Sequence, residues 1–127
     1  MRDDHDHDEG TAVVEFVLVS VLLVMLLLAV AQVAVYLHVR AVATASAAEG
    51  ARYAANADVP TADGAVRAAE VLGRGIGSGT AARLRCTAAD QTPLVAVRCA
   101  GTLPVFFAPL GGVLPVDVTG RALEEGP

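Results

Sequence analysis

Four sets of residues in this 127-residue chain have types and spacing that could do chemistry. Asp3-Asp4-His5-Asp6-His7-Asp8-Glu9 offers carboxylates and imidazoles to a divalent metal. Glu15 stands just inside a long apolar run, where an ionised carboxylate needs a charge partner or headgroup water. Gly73-Arg74-Gly75-Ile76-Gly77-Ser78-Gly79 has the glycine content of a phosphate-cradling loop. Cys86 and Cys99 are the only two cysteines.

Composition removes most catalytic readings. All nine basic residues are Arg, so there is no Lys for a Walker-type loop or a Schiff base. The glycine run therefore reads as a flexible connector. His5, His7 and His38 are the only histidines, and none lies in the C-terminal half, where a His-based acid–base pair would be needed. Of Ser20, Ser46 and Ser78, only Ser78 lies beyond the helical half. The expectation is no enzyme and no cofactor. The acidic leader reads as a solvated, disordered tail, with loose metal binding as the alternative. Two cysteines lack the four-ligand spacing of a zinc site, so no metal site is expected.

The net charge of −5 is concentrated in that leader, where Arg2 stands against five acids. No basic field marks the chain for nucleic acid. From Phe16 to Val39 the sequence FVLVSVLLVMLLLAVAQVAVYLHV runs 24 residues without Asp, Glu, Lys or Arg. At ~1.5 Å per residue that is about 36 Å of helix, enough to cross a hydrocarbon core of roughly 30 Å with some tilt. A cleaved secretory signal would be shorter and follow a basic leader. A plain signal-anchor helix needs only the length and stays open.

Gly10 followed by Thr11, with Glu15 at the fifth position after the glycine and an apolar helix beyond, resembles the cleavage site of type IV prepilins. More narrowly, Glu9-Gly10-Thr11-Ala12-Val13-Val14-Glu15-Phe16 and the later Ala45-Ser46-Ala47-Ala48-Glu49-Gly50-Ala51-Arg52-Tyr53-Ala54-Ala55 resemble the TadE-like family. These are pseudopilin-type proteins of bacterial tight-adherence (Tad/Flp) pilus assembly and secretion systems. The resemblance covers roughly residues 9 to 55. It implies cleavage between Gly10 and Thr11 by a prepilin peptidase, with the chain as that enzyme's substrate. It further implies that Glu15 pairs with a free α-ammonium, and that the partners are other pilus or pseudopilin subunits. The alternative is that Gly10 is an ordinary breaker before a helix and Glu15 reaches headgroup water. Family members often carry a Pro near the position of Val21; here the first Pro is Pro60, so the helix should run unkinked. Arg40 and Arg52 outnumber Arg2 across the span, a bias opposed to the leader-inside topology that the motif requires.

Past the apolar run the chain turns Ala-rich, and the helix is expected to continue to about residue 56. Ala41, Ala45, Ala48 and Ala55 permit close helix approach; a solvated helix is the alternative. Val59-Pro60-Thr61 should end it, with Thr61 or Asp63 capping a second helix over about 61–73. Ala62, Ala65, Val66, Ala69 and Leu72 would form its apolar stripe, with Glu70 and Arg74 an i,i+4 pair.

If Cys86 and Cys99 lie opposite each other in an antiparallel hairpin, Asp90 faces Val95 across a turn Gln91–Leu94. One face then collects Ala82, Leu84, Cys86 and Ala88 with Val95, Val97, Cys99 and Leu103. The other collects Arg83, Arg85, Thr87, Arg98 and Thr102. A disulfide is expected there, and it persists only in an oxidising compartment; two buried thiols are the alternative. Leu114, Val116 and Val118 alternate with Asp117 and Thr119 as a third strand. The aromatic segment Leu103–Leu110 is expected as core or a lid on the long helix, or else a partner patch.

The whole reads as α+β and pilin-like. Residues 1–10 form an acidic leader, 11–57 a transmembrane and extended helix, and 58–127 a small domain with a short helix and a three-stranded antiparallel sheet. The expected location is the cytoplasmic membrane, single-pass, N-terminus cytoplasmic and C-terminal domain extracytoplasmic. The function implied by the resemblance is a minor pseudopilin or Tad-type pilus assembly protein. The alternative is an uncleaved membrane-anchored binding or structural protein.

Overall fold

The computed structural model describes residues 4–105 and 112–126, with side chains described from residue 8 onward. The elements are α1 (Asp4–Ala54), α2 (Thr61–Ile76), α3 (Ser78–Ala81), β1 (Leu84–Gln91), β2 (Leu94–Pro104) and β3 (Val113–Leu123). The strands form one antiparallel meander in the order β1-β2-β3. The expected α+β architecture is therefore present, and it is built around a 51-residue helix.

That helix starts earlier than the sequence predicts. It begins at Asp4 and passes Gly10 without a break, so residues 4–10 of the leader are helical where a disordered tail is expected. Acidic residues suit the positive end of the helix dipole, and one interior glycine costs only about 1 kcal/mol. Between Asp8 and Ala31 no side chain is buried, and Phe16 is 73% exposed. Burial begins at Gln32, and Val39, Ala43, Ala47 and Ala51 then form a packed stripe at i,i+4 spacing. Ser46 is fully buried within this half; its hydroxyl donates to the Val42 carbonyl at 2.8 Å, so no polar group is stranded.

The C-terminal half of α1 packs on its own domain, against α2, β2 and β3. Of the four alanines expected to permit close approach, Ala55 is buried and Ala48 half-buried, whereas Ala41 and Ala45 are exposed; most of the contact is made by the stripe Val39, Ala43, Ala47 and Ala51. Tyr36 adds a fixed point, its hydroxyl donating to the Pro115 carbonyl at 3.1 Å. The chain leaves α1 through Asp58, which has φ 66°, a conformation that Asp tolerates better than most residues. The Glu125 amide donates to the Ala55 carbonyl at 2.9 Å and ties the C-terminal segment to this end of the helix.

α2 is longer than expected and turned differently. It runs to Ile76 and buries Gly64, Ala68 and Leu72, whereas Ala62, Ala69 and Val66 of the expected stripe are exposed. Neither Thr61 nor Asp63 caps it by side chain; Pro60 occupies the N-cap position, and its carbonyl accepts from the Asp63 amide at 3.0 Å. The glycine run is not a connector, because Gly73 to Ile76 are helical and Ser78–Ala81 form α3. Gly75 is there for space, since a Cβ would collide with Val42 of α1. Gly77 makes the corner with φ 82°, where L side chains are strained.

The hairpin has the expected register, with Cys86 opposite Cys99 and Asp90 opposite Val95. It is one pair longer, because Gln91 faces Leu94 and the turn is Thr92-Pro93 alone. Asp90 tightens that turn by accepting from the Thr92 amide at 3.0 Å and from its hydroxyl at 2.7 Å. Val95, Val97, Cys99 and Leu103 point into the core while Arg98 and Thr102 face out. β3 continues past Thr119, and Gly120 lets it lie against the backbone of Ala47 and Ala48. Of the aromatic segment, Phe106 to Leu110 lie outside the described residues.

Candidate functional site: the exposed helix and its junction with the domain

Sequence reasoning singles out Gly10, Thr11 and Glu15 at one end of the molecule and Cys86 and Cys99 at the other. The structure keeps these two sets apart. Gly10, Thr11 and Glu15 are all exposed on the N-terminal half of α1. Thr11 and Glu15 are four residues apart and so share one helix face, separated by about 6 Å of rise. Glu15 makes no ion pair among the described residues. It lies roughly 25 Å along the axis from Gln32, where packing begins. Between them Leu18, Leu22, Leu26 and Leu27 are each at least 60% exposed.

Such a surface has no place in water. Burying one large apolar side chain is worth roughly 1.5–3 kcal/mol, and this half of α1 leaves more than a dozen exposed. α1 is the one helix among the described residues that is long and apolar enough to cross a membrane. The helix is therefore divided by length into an apolar half exposed in this chain and an Ala-rich half that is the spine of the domain.

Cys86 and Cys99 are joined by a disulfide with their Cα atoms 4.0 Å apart, as the hairpin parity requires. The bond sits on the core side, with Cys99 fully buried. Linking strands 13 residues apart is worth about 3 kcal/mol by loss of chain entropy in the unfolded state.

Several working contacts are not legible as sites in the sequence. On the outer sheet face Arg98 grips Asp117 with two hydrogen bonds, Nε to Oδ1 at 2.7 Å and Nη2 to Oδ2 at 2.5 Å. This fork holds the Asp117 carboxyl below its ordinary pKa, mainly through the hydrogen bond from Arg98. Arg67 of α2 reaches Glu49 of α1 at 3.6 Å and Glu70 at 3.5 Å, and Arg74 meets Glu70 at 3.6 Å as its spacing predicts. A groove of about 610 Å³ opens where α1 joins α3 and the end of β2. No cluster of three or more metal-ligating side chains occurs among the described residues.

No curated protein and no solved structure matches this chain. The part that does match a family is the long helix. Residues 10–52 fit the family model described as TadE-like protein, a pilin-type and generally non-enzymatic family tied to Tad pilus assembly, and the match takes in Gly10, Thr11, Glu15 and the Ala-rich spine alike.

Proposed function

We propose that this chain is a minor pseudopilin of a Tad-type pilus or secretion system, working by helix packing in the membrane without chemistry of its own. The observation that carries the reading is Glu15: a single exposed carboxylate at the start of a lipid-facing helix, inside the segment with the family match. Cleavage between Gly10 and Thr11 would remove the acidic leader and create an α-ammonium one helical turn before Glu15. That ammonium, or the one on a neighbouring subunit, neutralises Glu15 where an unpaired charge is costly. Residues 1–10 would then be the leader, 11–57 the membrane and extended helix, and 58–127 the exported domain. The leader and the peptidase would be cytoplasmic, with the disulfide on the oxidising side of the membrane. The partners are other pilus subunits, met along the exposed half of α1.

Glu15→Ala tests this reading. The variant should still insert into the membrane and fold, while pilus assembly in the producing cell falls sharply. Normal piliation by Glu15→Ala would remove Glu15 from the mechanism.

A second reading is an uncleaved single-pass anchor for an extracytoplasmic binding or structural domain. It is favoured by the unbroken helix through Gly10 and by the arginine bias across the span.

A further inference from the structure

We propose that the groove at the junction of α1 with the domain is a binding site for an anionic phospholipid of the leaflet on the domain's side. The groove is about 610 Å³, within the range of sites that hold a sizeable ligand. Val35 and Val39 of α1, Ile76 of α2 and Leu103 of β2 line it with apolar surface, and His38 and Arg83 stand among its polar lining.

Its position follows from where α1 leaves lipid. Counted from Thr11, a hydrocarbon core of roughly 30 Å is used up near residue 31. The next turn holds Gln32, at which burial begins, and Tyr36, which is tied to Pro115. The groove therefore opens at headgroup level and is continuous with the exposed apolar surface of α1. An acyl chain can follow that surface past Val35 while its headgroup stays beside the domain.

Charge selects the headgroup. Arg83 is exposed at the membrane-proximal end of the sheet and, like Arg40, Arg52, Arg85 and Arg121, makes no ion pair among the described residues; of these it is the one that lines the groove. A guanidinium fork beside apolar walls matches a phosphodiester attached to a hydrocarbon chain. A neutral zwitterionic headgroup would bring a compensating cation to the same place, so an anionic lipid is favoured.

The inference rests on α1 spanning the membrane, and the test separates the two. Full-length protein in a neutral detergent is given equal amounts of phosphatidylglycerol and phosphatidylcholine, and bound lipid is counted by native mass spectrometry. Phosphatidylglycerol should be retained in preference. Arg83→Gln should lower that retention about tenfold or more, the loss expected for one charged hydrogen-bonded contact. Arg121→Gln makes the same charge change at the far end of the sheet and should leave it unaltered. Equal retention of the two lipids, or equal loss from both variants, would overturn the site. Liposome flotation of the same preparation reports on the span itself: protein that fails to float overturns both claims, and protein that floats but ignores Arg83→Gln overturns the lipid site alone.

Discussion

Gly50 of α1 and Gly64 of α2 meet backbone to backbone: a Cβ placed on Gly64 would lie 2.9 Å from the Gly50 carbonyl oxygen and 2.8 Å from the Ala54 Cβ. This crossing sets the distance between the two helices. Substituting either glycine pushes against main chain, which cannot swing aside as a side chain would. Gly64→Ala should destabilise the full-length protein by about 1–3 kcal/mol through overpacking. Gly73→Ala, in the same helix with nothing within 4 Å of the new methyl, should instead stabilise by about 0.5–1 kcal/mol. Thermal melts followed by circular dichroism in detergent would show opposite shifts. Equal shifts would mean that the helices do not cross here.

The disulfide matters because the domain is small. Replacing Cys86 and Cys99 together with Ala should cost about 3 kcal/mol, read as a lower melting temperature. The wild-type protein should show the same loss on reduction. After reduction, a membrane-impermeant thiol reagent should label Cys86, the half-buried member of the pair, in intact cells. Labelling only after lysis would put the domain on the cytoplasmic side.

The Arg98–Asp117 pair predicts a pH dependence of defined sign. Asp117 has a folded-state pKa below its unfolded one, so the pair's contribution is present above the ordinary aspartate range near 4. It is lost as pH falls through the lowered folded value. The stability difference between wild type and Asp117→Asn should therefore be largest near neutral pH and close in acid. A difference that grows as pH falls would contradict the assignment.

The sheet was the most legible part of the sequence. Parity around Cys86 and Cys99 sets the register of β1 and β2, and the alternation from Leu114 to Val118 finds the start of β3. Small residues hid the rest. Gly64 and Ala68 carry almost no hydropathy, so a stripe read from hydrophobicity finds the buried Leu72 and the half-buried Ala65 but also takes in the exposed Ala62, Val66 and Ala69, and misses the close approach at Gly64 and Ala68. Gly75 reads as part of a connector for the same reason, although it makes room for Val42 of α1. Hydropathy could not find the division within α1 either. Val39 belongs to the apolar run by composition and to the domain core by packing, and only Gln32, Tyr36 and His38, the polar interruptions near its end, hint at the boundary. Arg98 and Asp117 lie on neighbouring strands, and their pairing needed the β2–β3 register.

The Glu15 reading depends on a new N-terminus next to it, and the intact mass of the protein extracted from the membranes of a piliated cell measures that directly. A mass corresponding to residues 11–127, with Thr11 first, is the predicted result. A chain that retains residues 1–10 in cells containing active prepilin peptidase would contradict it and leave α1 as an uncleaved anchor.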